Sequence, residues 1–202
     1  MIALMRGLGW LLGLVYATIP SFWLLVHPWA GFWSRRRSPY RLLLPLWFLL
    51  IAVAAIVTWR WRNSTLYHTG VPWIPALLLF FIGIAIYRRT RPHFKREQML
   101  GQAELQPQSH RQQLVTSGIH GRVRHPVYLA HFCMLLGWAV GTGLAVLYAL
   151  FAFALLTGIV MVLVEERELE RRFGEDFRSY KQRVPAVIPR FGNVQPASAA
   201  ER

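Results

Sequence analysis

Arg124-His125-Pro126-Val127-Tyr128 opens a segment that runs on for 36 residues, Leu129 to Val164, without a formal charge and closes on Glu165-Glu166. A single helix from Pro126 to Val164 would be about 58 Å long at 1.5 Å per residue, roughly twice the ~30 Å hydrocarbon thickness of a bilayer. The segment must therefore fold back on itself. Gly141-Thr142-Gly143 is where the sequence permits the turn, giving arms of about 15 and 21 residues. The first arm is short for a full crossing, which tilt or an embedded turn accommodates. Gly137-x-x-x-Gly141 predicts close approach of the helices. The fold-back brings the two ionic ends together on one side of a membrane.

Working outward, three more charge-free runs, Gly7 to Ser34, Leu42 to Trp59 and Asn63 to Tyr87, each have the length of about one crossing. With 54% hydrophobic residues and charges clustered between apolar runs, the 202-residue chain reads as a polytopic membrane protein. Arg6 before an apolar run also suits a secretory signal. The length of the run, its Trp10, Trp23 and Trp29, and the lack of a clean small-residue cleavage site favour a retained helix. Cys133 is the sole cysteine, which excludes an intrachain disulfide and a cysteine-rich metal centre.

The net charge of +14 would suit a nucleic-acid binder, but its distribution follows the positive-inside rule. Residues 34–41 hold four Lys or Arg, residues 88–126 eight and residues 165–202 eight, against Arg6, Arg60 and Arg62 on the other side. That 20 to 3 split predicts an outside N-terminus, a cytoplasmic C-terminus and five spans. Anionic headgroups account for the surplus charge, so no nucleic-acid partner is expected.

The first helix carries Pro20 and ends near His27-Pro28, with Trp29, Phe32 and Trp33 as an expected interfacial belt. It and the next two helices read as scaffold. Residues 91–117, polar and broken by Pro92 and Pro107, form a connector of a length that is usually functional. After Val164 the helix continues to Phe173, with Glu168 and Arg172 as an i,i+4 pair and Gly174 as its cap. Glu175 and Asp176 open a second short helix, and Val184-Pro185 and Ile188-Pro189 stop it. Gly141-x-Gly143 lacks the strand and third glycine of a nucleotide fingerprint. The spacing of His110, His120 and His125 suits no familiar zinc arrangement, and no metal is expected.

Between the hairpin ends a ligand would meet Arg124 and His125 at a helix N-terminus, which favours an anion, and Glu165 with Glu166, which favour a cation. Adjacent carboxylates at a membrane exit repel and need a cationic partner. Such a bipolar site suits a zwitterionic or mixed-charge cofactor better than phosphate. Taken singly, each residue also has a plain role: anchoring arginine, interfacial Tyr128, solvated glutamates. His131 reads equally as a buried polar group and as a site residue.

Thr116-Ser117-Gly118 through Arg124-His125-Pro126-x-Tyr128, then Glu165-Glu166-x-x-Leu169-x-x-x-Phe173-Gly174-x-x-Phe177-x-x-Tyr180-x-x-x-Val184-Pro185-x-x-Ile188-Pro189 resemble the C-terminal signature of isoprenylcysteine carboxyl methyltransferases and related phospholipid methyltransferases. The resemblance covers about the last third of the chain. Ile119-His120 stand where relatives commonly have Pro-Tyr, Ala130 where they have glycine, and Phe177 where they have tyrosine. It implies S-adenosyl-L-methionine as cofactor, bound by Gly118, Ile119, His120, Arg124, His125, Tyr128, Glu165, Tyr180 and Pro185, with Tyr180, Arg183 and Pro185 as a lid. Arg96 is the candidate for positioning a carboxylate acceptor, and Glu165 or Glu166 for serving as base to an amine.

The sequence thus predicts an all-α polytopic membrane protein with about five transmembrane helices, the last two a hairpin, plus cytoplasmic C-terminal helices. Its expected parts are a scaffold at 1–90, a catalytic region at 91–190 and a disordered tail at 191–202. The expected function is S-adenosylmethionine-dependent methyl transfer to a lipophilic or membrane-delivered acceptor, carboxyl O-methylation first, in a bacterial inner membrane or endoplasmic reticulum with the active site facing the cytoplasm. The alternatives are an amine N-methyltransferase, an NADPH-dependent sterol-type reductase and a non-catalytic membrane scaffold.

Overall fold

The computed structural model describes residues 2–36, 38–91 and 113–189. Its helices are α1 (Ile2–Val26), α2 (Ala30–Ser34), α3 (Tyr40–Thr58), α4 (Trp73–Thr90), α5 (Pro126–Thr142), α6 (Ala145–Phe173) and α7 (Glu175–Arg183). Proline marks three helix starts, at the cap positions Pro39 and Pro72 and in the first turn at Pro126, where a missing N–H leaves no ladder bond unmade. Four helical stretches, Ala3–Ser34, Tyr40–Trp61, Trp73–Thr90 and Ala145–Phe173, are long and apolar enough to cross a membrane. The fifth, Pro126–Thr142, is shorter; its 17 residues reach about 26 Å. Arg96 and residues 191–202 lie outside the described residues.

The hairpin turns where the sequence permits it. Gly143 has φ +69°, open to glycine, and Leu144 leads straight into α6. The loop after α3 caps this turn: Leu66 N–H donates to Gly143 O at 2.8 Å and Ala145 N–H to Ser64 O at 2.9 Å. Tyr67 OH donates to Val140 O at 2.5 Å and lies 2.9 Å from Tyr148 OH. Backbone polar groups that the turn exposes are thereby satisfied inside the protein, as a low-dielectric setting demands.

Gly137 and Gly141 serve a different contact from the expected one. A Cβ on either would lie 2.7 Å from Phe80 or Trp73 of α4, so this pair of glycines admits α4 and not the other arm of the hairpin. α5 is the centre of the bundle: α4 packs along it, α6 pairs with it as the hairpin, and α1 lies across α5 and α6. The main core joins Trp10, Leu14 and Ala17 of α1 to Leu135 and Ala139 of α5 and Leu147, Leu150 and Ala154 of α6.

α3 is peripheral, packing on α1. Two indole hydrogen bonds tie it there, Trp10 Nε1 to Thr58 Oγ1 and Trp47 Nε1 to Thr18 Oγ1, both 3.0 Å. Its remaining surface, with Phe48, Leu49 and Ile56, is exposed, as are Ile74 and Phe81 of α4 and Leu156 of α6. These surfaces form the lipid-facing belt of an integral membrane protein. Trp29 and Phe32 are exposed as expected of an interfacial belt. Trp33 is not: its ring is buried against Phe22, Val26 and Leu43, and its Nε1–H donates to Leu25 O at 2.7 Å. An indole whose N–H finds a carbonyl gains more from packing than from the interface.

Candidate functional site

The site is assembled at the end of the bundle opposite the hairpin turn, from three pieces of chain. Ser117 to His125 enters α5 through a short 3-10 turn, Gly118–Gly121, made possible by φ +62° at Gly118. The end of α6 supplies the glutamates. α7 and the segment after it close over both, because Gly174, at φ +55°, turns the chain back after Phe173. Phe177, Tyr180 and Val184 pack with Leu114, Leu169 and Phe173 into a small core of their own. Tyr180 is buried, which pushes its phenol up to about 12, and its OH donates to His120 O at 2.6 Å.

Two backbone bonds then lay the final segment along the entrance to α5. Arg124 N–H donates to Pro185 O and His125 N–H to Ala186 O, each at 2.9 Å. Arg124 completes the clamp with its side chain. Nε donates to Glu166 Oε1 at 2.9 Å, Nη2 bonds to the same oxygen, and Nη1 donates to Lys181 O at 3.0 Å and to Val184 O. Glu166 is 4% exposed and also pairs through Oε2 with Lys181 Nζ at 2.9 Å. This network joins the entrance to α5 with α6 and α7, with the buried Glu166 carboxylate between the Arg124 and Lys181 cations.

His125 sits between the two glutamates, its Nδ1 3.4 Å from Glu165 Oε2 and its Nε2 3.4 Å from Glu166 Oε1. Burial opposes its charge, but Glu165 and Glu166 outweigh burial and raise its pKa to about 9. It is therefore an imidazolium at neutral pH. Glu165 differs from its neighbour: its side chain is 24% exposed and its Oε2 is buried without a hydrogen bond from the described residues. Glu166 is enclosed by Arg124 and Lys181, whereas Glu165 has His125 as its ion-pair partner and keeps part of its side chain exposed.

A cavity of about 390 Å³ opens onto these groups, within the roughly 300–1,000 Å³ typical of small-molecule sites. His120, Arg124, His125, Tyr128 and Glu165 line it. So do residues expected only as scaffold: Ile19, Phe22, Trp23 and His27 of the α1 end, Trp47 of α3 and Tyr87 of α4. His27 also fixes the end of α1 to α6, its Nδ1 lying 2.9 Å from Glu168 Oε2, while Glu168 Oε1 accepts from Arg172 Nη2 at 2.6 Å. His131 reaches the same cavity. Its Nδ1 must donate to Val127 O at 2.7 Å, since a carbonyl only accepts, and Tyr16 and Tyr87 meet its ring edge to face.

The residues expected from the sequence are therefore not equivalent in place. His120, Arg124, His125, Tyr128 and Glu165 converge on the cavity, and Ile119 and Pro185 lie in the segments that frame it. Glu166 is enclosed in the clamp, and Gly118 is exposed at the turn. Arg183 is exposed on α7, with its Nε donating to Ser179 O at 3.1 Å, away from the cavity. Lys181 and His27 were not anticipated; each acts through a partner far away in sequence, for which local spacing carries no signal.

The sequence profile of the phospholipid methyltransferase family matches residues 72–176, just over half of the chain. The chain belongs to the phospholipid methyltransferase family. The match takes in α4, the Gly118–His125 entrance, α5 and α6, the parts that hold most of the cavity wall. Over 83 residues this family member is 36% identical to a protein-S-isoprenylcysteine O-methyltransferase of Schizosaccharomyces pombe, covering 38% of this chain and 33% of that protein. It is 39% identical over 67 residues to a methanethiol S-methyltransferase of Bradyrhizobium diazoefficiens, covering 33% of this chain and 23% of that protein. A delta(14)-sterol reductase of Mus musculus is 29% identical over 137 residues, 61% of this chain and 33% of that protein. The chain thus aligns with a third or less of the length of each of these relatives. No solved structure matches it significantly.

Proposed function

We propose that this family member is a membrane methyltransferase that takes S-adenosylmethionine at the His125–Glu165 face and a lipophilic acceptor from the bilayer. The observation that carries this reading is the pairing of the buried His125 with the part-exposed carboxylate of Glu165 on one wall of a cavity. His125 suits a carboxylate, and Glu165 suits an ammonium or a ribose hydroxyl. Tyr128 and the Gly118–His120 turn frame the rest. Arg124 supports this arrangement indirectly, since most of its donors hold the clamp. The cofactor supplies an electrophilic methyl group on a sulfonium, so the protein has to exclude water and align the acceptor. Trp23, Trp47 and Tyr87 exclude water on the membrane side.

Carboxyl O-methylation, the activity in the name of the fission-yeast relative, is our first reading of the reaction, with Arg96 proposed to position the acceptor carboxylate. A neutral acceptor such as an amine or thiol is favoured by a separate observation. His131 donates through Nδ1 to Val127 O, which leaves Nε2, in the neutral ring, as a lone pair able to take the acceptor's proton. The 20 to 3 charge split supports an active site on the cytoplasmic side.

Calorimetry on detergent-purified protein tests the cofactor. S-adenosylhomocysteine should bind and NADPH should not. Binding of NADPH alone would move the reading to the reductase, and binding of neither would leave a scaffold. Radiolabelled methyl transfer into lipid extracts, thiols and prenylated cysteine then separates the acceptors.

A further inference from the structure

A second cavity, of about 360 Å³, lies at the turn end of the bundle between the start of α1, the Tyr67–Gly70 loop, the start of α4 and the end of α5. Arg6 projects into it. The guanidinium Nη2 is 3.3 Å from His68 Nδ1, which must be its acceptor, and Nε is buried with no hydrogen-bond partner among the described residues. Arg6 is part-exposed, but its buried Nε–H is unmet, and an anion in the cavity would satisfy both that donor and the charge. None of the described residues supplies one. No Asp or Glu precedes Glu97 in the sequence, and every described carboxylate lies from Glu165 to Asp176, about 30 Å away along α6 at 1.5 Å per residue.

The rest of the wall says what kind of anion fits. Met5, Trp73 and the Tyr67 ring are apolar, while Thr69 and His68 add polar groups beside Arg6. Met5 is also exposed, so the cavity is reached from the surface. Trp59 and Trp61 are exposed and Trp73 lines the cavity, an aromatic enrichment of the kind found at the headgroup layer. α1 and α4 both pack on α5 but not extensively on each other, which leaves a slot between their ends.

We propose that this cavity seats the phosphate of a phospholipid from the leaflet opposite the candidate methyltransferase site, with Arg6 as its charge partner and Trp73 and Met5 against its glycerol backbone. The proposal is independent of the reaction. Native mass spectrometry of the full chain from detergent tests it, titrating dioctanoyl phosphatidylglycerol, dioctanoylglycerol and inorganic phosphate separately. The phospholipid should bind, and Arg6→Gln should weaken it by about tenfold or more, the scale of a lost charge-assisted hydrogen bond. Arg60→Gln, which removes an exposed arginine outside the cavity, should leave it unchanged. Arg6→Lys keeps the charge without the planar fork and should give a smaller loss; it decides the matter if Arg6→Gln does not fold. Equal binding of dioctanoylglycerol, equal loss in Arg60→Gln, or wild-type affinity in the Arg6 variants would overturn the site. Inorganic phosphate binding as tightly as the phospholipid would overturn the lipid assignment.

Discussion

The two ends of the α5–α6 hairpin are closed by opposite chemistry. At the turn, Gly143, the Ser64–Tyr67 loop and a tyrosine hydroxyl satisfy backbone groups with backbone and neutral partners. At the open end, Arg124, His125, Glu165, Glu166 and Lys181 hold the chain with charge. The first arrangement fixes geometry and is indifferent to pH. The second can be tuned, and one of its members, Glu165, stays part-exposed at the cavity. The difference teaches that ion pairs in this protein have two duties, and that neighbouring glutamates divide them.

Breaking the charged end should have the largest effect. Glu166→Ala leaves Arg124 and Lys181 without their shared carboxylate and should destabilise the protein by about 3–5 kcal/mol, read as a fall in thermal midpoint in detergent. At the turn, Gly143→Ala forces an L residue to φ +69° and puts a Cβ 2.8 Å from the Tyr67 ring. We expect a loss of about 1–3 kcal/mol, measured the same way.

A pH titration sharpens the contrast. His125 has a folded pKa of about 9, above the ~6.5 of an unperturbed histidine. Its protonation therefore contributes stability that is fully present below about pH 6.5 and is lost as pH rises through about 9. Wild-type thermal stability should fall across that window, and His125→Gln should flatten the fall. An identical alkaline slope in the variant would contradict the assignment. Tyr180→Phe removes one hydrogen bond to His120 O and should cost about 1 kcal/mol. Arg183→Ala, exposed and bonded within its own helix, should stay within about 0.5 kcal/mol.

How much of this was legible in the sequence follows from where each signal resides. The hairpin, its turn and the meeting of Arg124-His125 with Glu165-Glu166 follow from chain length against membrane thickness, a global constraint that one sequence carries. The α6 cap at Gly174 and the Glu168–Arg172 pair are local and were equally readable. The destination of Gly137 and Gly141 was not, because a small-residue stripe says that something packs closely but not which helix. The division between Glu165 and Glu166 was also hidden: consecutive helix positions point in different directions, and only the docking of Lys181 and the Val184 carbonyl shows which one faces the clamp. The lining by Trp23, Trp47 and Tyr87 depends on how α1, α3 and α4 surround α5, which composition leaves open.

The central claim is that the Glu165 face receives the cofactor, while the hairpin turn at Gly143 fixes geometry and takes no part in cofactor binding. Titrating S-adenosylhomocysteine calorimetrically into Glu165→Gln and Gly143→Ala beside the wild type tests it most directly. Glu165→Gln should lose about tenfold or more in affinity, as loss of a charge-assisted contact requires, and should also melt earlier because His125 loses a charged partner. Gly143→Ala should melt earlier and bind as the wild type does. Wild-type affinity in Glu165→Gln would contradict the claim.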